Sequence, residues 1–345
     1  MHNLSIRIRP RERIHCLLLR RLCFWRRSVL SMKVLFDGCD FQSRTGPNSF
    51  AQRLATELLN QGHVIADDND YDVVLAFIET SFRDYKAPVV LRLDGIWFKD
   101  ENEFKIKNRG IKRSYEFVDH VIWQSEFDKN MVTHWWGNRS GSVVHNGIYI
   151  DPIKNESDIA SEILKLRQTY DKIFCCSANW HGQKRLRQNV ELFRHLKNGL
   201  YQNSCMIIMG NNAEQISGND LFYTGNLPHE ICEQVFAVSD WMIHLAYLDH
   251  CPNTVIESLM QGTPVICSNL GGTKELVQGF GVQLLEPKDY SYELIDYENP
   301  PLIDVNQISL LPETSSLGKH LDIDIKNVVK KYISIFESLI NEVNL

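Results

Sequence analysis

The sequence predicts an α/β protein made of two doubly wound domains, and three observations lead there. Strand-like apolar runs alternate with helical patterns along nearly the whole chain after residue 32, the pattern of parallel sheets covered by helices. At 345 residues the chain exceeds what one hydrophobic core usually serves, so two domains are expected. The stretch from Asp240 to Val277 shows the repeating unit most clearly: an apolar strand (Trp241 to Ala246), a loop (Tyr247 to Cys251), a helix, a second strand (Pro264 to Cys267) and a loop closed by Gly271 and Gly272. Two strands joined by a helix are parallel neighbours.

The elements follow in order. Residues 1–31 hold eight arginines, no lysine and one acidic residue. They precede the first strand and are expected to lie outside the fold, with Met32 as the working start. The other readings are a basic interfacial helix and a transit peptide. Lys33 to Phe36 reads as a strand, and Gly46-Pro47-Asn48 opens a helix from Asn48 to Asn60 that Gly62 ends. Strands are expected at Val73 to Ile78, Val89 to Leu93, Val121 to Trp123 and Val143 to His145, with helices at Phe104 to Phe117 and Glu126 to Trp136. Asp67-Asp68-Asn69-Asp70 lies in a turn-rich connector and reads as a solvated loop. At the end of the strand Val89 to Leu93, Arg92 and Asp94 point the same way.

Asp151 to Asn155 reads as a linker, after which a second α/β run begins. It comprises strands at Ile173 to Ser177, Met206 to Met209 and Phe222 to Thr224, helices at Lys184 to Gly199 and His229 to Val238, and then the stretch from Asp240. Prolines at 287, 300, 301 and 312 loosen the pattern from Gly279 to Ser316. An amphipathic terminal helix then carries Ile325, Val328, Val329, Tyr332, Phe336, Leu339 and Ile340 on one face.

Composition narrows the function. Beyond residue 31 the chain has 29 basic and 42 acidic residues, a charge of −13; an acidic body argues against nucleic acid as a partner. No apolar run reaches the roughly 18 to 20 residues that span a bilayer. The nine cysteines show neither CxxC pairs nor zinc spacing, so reduced thiols and a cytoplasmic setting are expected. Adjacent Cys175 and Cys176 read as core. No GxGxxG follows a strand, which disfavours a dehydrogenase. Lys105, Lys107, Arg109, Lys112 and Arg113 form a basic cluster. It reads as a solvated face, with an anionic acceptor or a membrane surface as the functional alternative.

The helix after Cys251 is the best marked. Pro252 suits the first helical position and Gly262 the residue past the end. Val255, Ile256, Leu259 and Met260 form an apolar stripe, with Thr254, Glu257, Ser258 and Gln261 opposite. Glu257 leans toward the helix start and so toward the strand-end crevice where open α/β sheets bind ligands. Free N–H groups there favour an anion, and a nearby carboxylate suits ribose hydroxyls, so a nucleoside diphosphate meets both demands. A solvated helix glutamate is the alternative.

The run CPNTVIESLMQGTPVICSNLGGTKELV resembles the donor-site signature of glycosyltransferase family 4, the retaining enzymes of GT-B fold: an acidic residue, seven residues, a glutamate, a Gly-Thr-Pro-Val strand and a glycine pair. Here the frame runs from Asp249 to Glu257, with Asp249 where the family usually has glutamate. The resemblance extends over most of the chain after residue 32. In SANWHGQKRL, Lys184 fills the family's diphosphate lysine slot, while Asn179 stands in the arginine slot with Arg185 or His181 to compensate. Gly46 falls in the loop the family sets across the cleft from the diphosphate, and Gly225-Asn226-Leu227 resembles the segment whose backbone touches the base. RLDGIWF and DHVIWQSEF resemble acceptor-domain segments.

What the resemblance implies is two facing Rossmann-like domains, 32–150 on the acceptor side and 151–320 on the nucleotide-sugar side, with residues 321–345 as a helix crossing back. A hexosyl unit would pass from a nucleoside diphosphate sugar to a glycan, lipid-linked sugar or protein, with retention and without a metal or other cofactor. Asp249, Lys184 and Arg185 are the expected catalytic residues. Gly46, Asn179, Asn226, Leu227, Cys251, Pro252, Asn253, Thr254 and Glu257 are expected to bind the donor. An epimerase or phosphorylase of the same fold, and a non-catalytic nucleotide-sugar binder, are the other classes, and peripheral membrane contact remains open.

Overall fold

The computed structural model describes residues 31–43, 45–67, 70–149, 158–313 and 321–343. The basic extension before Ser31 and the linker expected at Asp151 to Asn155 lie outside the described residues.

The first half contains strands β1 (Lys33–Asp37), β2 (Val64–Ile65), β3 (Val73–Phe77), β4 (Val89–Leu93), β5 (His120–Trp123) and β6 (Gly141–Val143), with helices α1 (Gly46–Asn60), α2 (Glu101–Lys107), α3 (Arg109–Phe117) and α4 (Glu126–Trp136). Its strands lie in the order β2-β1-β3-β4-β5-β6, all parallel. β3 and β4 read VVLAF and VVLRL and are buried at every residue, because helices cover both faces of a parallel sheet. The second half contains α5 (Asp158–Thr169), β7 (Lys172–Ser177), α6 (Leu186–Asn198), β8 (Ser204–Met209), β9 (Leu221–Gly225), α7 (His229–Val238), β10 (Trp241–His244), α8 (Asn253–Met260), β11 (Val265–Ser268), α9 (Thr273–Val277) and β12 (Gly281–Leu284). Its order, β12-β11-β10-β7-β8-β9, is the 3-2-1-4-5-6 winding that reverses beside its first strand. The reversal falls between β7 and β10.

The last helix, α10 (Ile325–Val343), returns to the first half. Its Tyr332 and Phe336 are fully buried in one core with Val34, Phe50 and Leu54. The apolar stripe read from the sequence is what it buries.

Several expected boundaries shift for identifiable reasons. The helix expected over Phe104 to Phe117 is two helices, broken at Asn108, whose buried side chain pairs with both the N–H and the carbonyl of Trp97. The helix expected from Lys184 begins at Leu186 instead. A 3₁₀ turn over Gly182–Lys184 precedes it, and Arg185 between them is left-handed, with φ of 53°. The strand expected at Val143 to His145 ends at Val143 and starts earlier, pairing Gly141 with Val121. Pro252 caps α8 in extended conformation rather than occupying its first turn, and Gly262 past the helix end has φ of +83°, where glycine carries no Cβ penalty. The strands β2 and β12 and the helix α5 have no counterpart in the sequence reading.

Candidate functional site

Ligands bind open α/β sheets outside the carboxyl ends of the strands, where the winding reverses. In the second sheet that point brings together the loop after β7, the loop after β10 and the start of α8. Lys184, in the 3₁₀ turn after β7, places Nζ 2.5 Å from Oδ2 of Asp249, in the loop after β10. His244, the last residue of β10, holds Nε2 3.4 Å from the same oxygen. Burial works against the Asp249 charge, but Lys184 and His244 outweigh it and hold the carboxyl far below the usual carboxylate range. His244 is itself pushed down by burial.

α8 lies at the same corner. The N–H groups of its first residues, Asn253 and Thr254, have no partner inside the helix. The Asn253 side chain reaches the first half, donating to the Gly46 carbonyl at 3.5 Å and accepting from Asn146 Nδ2 at 3.1 Å. Asn146 accepts in turn from Arg92 at 2.6 Å. Arg92 is 1% exposed, also donates to Asp94, and stacks on the Phe50 ring with its guanidinium carbon 4.4 Å from the centroid. A relay of three side chains therefore ties the end of β4 to the start of α8, and Gly46 lies across from α8.

Glu257 sits in the second turn of α8, 9% exposed. Burial pushes its carboxyl up to about 7, against the pull of Arg53. Arg53 on α1 places Nη1 3.7 Å from Glu257 Oε1, and His229 at the start of α7 places Nδ1 3.7 Å from that oxygen.

Two glycines and a glutamate shape the neighbouring loop. Gly271 has φ of +81°, and a Cβ on Gly272 would meet the His250 carbonyl at 1.8 Å and Ser125 Oγ at 2.6 Å, so close approach of the chains requires glycine there. From α9, Glu275 accepts the N–H groups of Glu126 and Phe127 at 2.8 Å each, capping α4 of the first half, and lies 3.3 Å from His145 Nε2. His250 Nδ1 stands 3.5 Å from the fully buried Asp128 carboxylate of α4.

The structure thus gathers Lys184, Asp249, Gly46, Pro252, Asn253, Thr254 and Glu257 around one corner. Arg185 is a correction. Its side chain is 1% exposed and grips Glu286 with both ends, at 2.5 and 2.9 Å, while donating to the Pro301 carbonyl. A guanidinium so committed holds the loop after β7 in place and does not face a ligand. His181 is likewise engaged, 2.9 Å from Glu298, and Arg187 pairs with Glu214 at the surface. Asn179 is exposed and accepts from Asn212 at 2.9 Å, so Lys184 is the cation of this loop that meets Asp249. Cys251 turns its thiol into the core, where burial raises it to about 12, and offers a ligand only its backbone. Asn226 is exposed after β9, with Leu227 packed against the core beside it.

The sequence reading missed Arg53, Asn146, His244 and Glu275. His244 and Glu275 lie within the stretch it treated most closely, while Arg53 meets Glu257, and Asn146 meets Asn253, across to the other half. The basic cluster of the first half is locally compensated. Lys105, Lys107 and Lys112 pair with Glu101, Glu103 and Glu116 one turn away, and Arg113 stacks on Phe82. No helix among the described residues is long and apolar enough to cross a membrane.

Residues 160–295 match the model of a family described as Glycosyl transferases group 1. No curated protein matches the chain in sequence. Among solved structures, Anabaena HepE in complex with UDP and glucose aligns at TM-score 0.61 and 17% identity over 89% of this chain and 100% of its own. Sucrose-phosphate synthase from Thermosynechococcus elongatus aligns at 0.60 and 14%, over 91% and 97%. AviGT4, a glycosyltransferase of avilamycin A biosynthesis, aligns at 0.59 and 13%, over 90% and 99%. The group 1 match over residues 160–295 supplies the class and the structural matches supply the fold: the chain is a glycosyltransferase of GT-B fold.

Proposed function

We propose that the chain moves a hexosyl unit from a nucleoside diphosphate sugar to a glycan or lipid-linked acceptor with retention at the anomeric carbon. The observation that carries this reading is the Lys184–Asp249 pair at the switch point of the second sheet, with the start of α8 and Glu257 beside it. When the glycosidic bond to the diphosphate breaks, negative charge grows on the departing phosphate. Lys184 and the free N–H groups of Asn253 and Thr254 are fixed donors for that charge, which is preorganised electrostatic stabilisation. Glu257 takes the ribose hydroxyls and Asp249 the donor sugar. In this reading the basic groups do the work that a metal does elsewhere, and the reaction needs none.

HepE was solved with UDP and glucose, so UDP-sugars are the first donors to try. Thermal stabilisation by UDP-, GDP- and ADP-sugars would identify the base, since a ligand that binds only the folded state raises its stability. NMR of the transferred sugar would then read the anomeric configuration. Donor hydrolysis or epimerisation with no transfer to any glycan or lipid-linked acceptor would overturn the reading, and an inverted product would overturn retention.

A further inference from the structure

Arg53 belongs to α1 of the first half, yet it meets Glu257 of the second half at 3.7 Å, with side chains only 15% and 11% exposed. Both contacts to Glu257 fall on Oε1, from Arg53 and from His229. At 3.7 Å each these are ion-pair contacts rather than hydrogen bonds, and among the described residues no such contact is made to Oε2. An acid meant to hold a vicinal diol needs one oxygen presented and the group ionised, because a protonated carboxyl gives up charge-assisted acceptance. Burial opposes ionisation here, as does the nearby carboxylate of Glu233 on α7. Arg53 is the permanent cation set against them, since a guanidinium stays protonated at any working pH.

We infer that Arg53 is a positioning residue of the donor site: it anchors Oε1 of Glu257, keeps that acid ionised and leaves Oε2 to the ribose hydroxyls. The inference rests on the ribose role proposed for Glu257. It makes the first half a participant in donor binding, since Arg53 reaches Glu257 only while α1 and α8 are in contact.

The test is the pH dependence of nucleotide affinity. UDP is the probe, with GDP and ADP used instead if UDP does not stabilise the protein; the corresponding 2′-deoxy nucleotide reports the ribose contact. The parent should lose affinity as the pH falls through neutrality, where Glu257 takes up its proton. Without Arg53 the acid is harder to ionise. Arg53→Ala should therefore bind roughly tenfold more weakly at pH 7, with the midpoint of its profile moved up by about one unit, and return to within roughly threefold of the parent at pH 9. Arg53→Lys should restore most of the parent profile. His229→Gln in each background takes that neighbour out of the comparison.

A loss in Arg53→Ala that is equally large at every pH would overturn the inference, because it would mean direct contact with the phosphates or damage to the fold. An unmoved midpoint would do the same. If Glu257→Ala leaves affinity and the deoxy penalty unchanged, the ribose reading itself fails. If Glu257→Ala weakens binding while Arg53→Ala does not, only the role of Arg53 fails.

Discussion

Lys184 Nζ lies 2.5 Å from Asp249 Oδ2, joining the loop after β7 to the loop after β10 where the winding of the second sheet reverses. Neither side chain is more than 19% exposed, so the pair is a partly buried charge couple beside the start of α8. In this pair each partner neutralises the other, and the proposed donor would give Lys184 a second anion.

Lys184→Ala should lower turnover by roughly 100- to 1,000-fold, the usual cost of removing one fixed charge stabiliser. It also strands Asp249, at a cost of about 1 to 3 kcal/mol, less than for a fully buried pair because both groups keep some solvent. The Asp249 pKa is depressed in the fold, so its contribution is present above the unfolded value of about 3.9 and is lost as the pH falls. The gap in Tm between variant and parent should be full at pH 7, narrow only below about pH 4, and still be open at pH 3, because the folded carboxyl titrates well below that. A turnover number near the parent's would pass the phosphate role to the helix start.

Asp249→Glu restores the residue usual in the family this chain resembles. The pocket is closed around Asp249 by Lys184 and by His244, which is itself 4% exposed, and an extra methylene in a packed site costs roughly 1 to 3 kcal/mol when neighbours cannot move. Lys184 has a flexible stem and can retreat, so activity at or above the parent's is expected. A large loss, with nucleotide binding intact, would show that the site is shaped for the shorter acid.

Glu257→Gln trades function for stability. Burial pushes the native carboxyl up to about 7 from the ordinary glutamate value of 4.5, so the fold binds the extra proton between those values. The stability tied to Glu257 is therefore greatest below about 4.5 and is lost as the pH rises through 7, a difference of roughly 1 to 3 kcal/mol. The amide carries no such penalty. This variant should melt higher than the parent at pH 8, match it near pH 5, and bind nucleotide more weakly throughout. Melting curves and titration calorimetry at the two pH values check both halves of the statement.

Glu275→Ala removes two charge-assisted hydrogen bonds from the first turn of α4, and loss of such a cap costs about 1 to 2 kcal/mol. Because the acid comes from α9 and the helix from the first half, the loss should appear as faster amide exchange at Glu126 and Phe127 as well as a lower Tm. Unchanged exchange at those two residues would show that water replaces the cap without cost.

Activity is expected to survive a chelator if, as proposed, Lys184 and the start of α8 meet the charge of the departing diphosphate. Abolition by EDTA with rescue by magnesium or manganese would place a metal in the mechanism.

The sequence by itself determined the two doubly wound sheets, the terminal helix and the corner of the site built from α8, because these depend on local pattern. Buried parallel strands read as apolar runs, α10 carries a regular apolar stripe, and Asp249 and Glu257 sit within nine residues of one another on one loop and helix. Tertiary structure decided which charges face the site. Arg185 and Lys184 are adjacent and equivalent in sequence, yet the left-handed turn at Arg185 sends its guanidinium to Glu286, 101 residues away, while Lys184 goes to Asp249. Arg53, Asn146 and Glu275 acquire their roles from partners on the opposite half, at separations of more than 100 residues. Side-chain direction at a loop, and the pairing of charges across two sheets, follow from how the finished surfaces meet, and no local propensity encodes them.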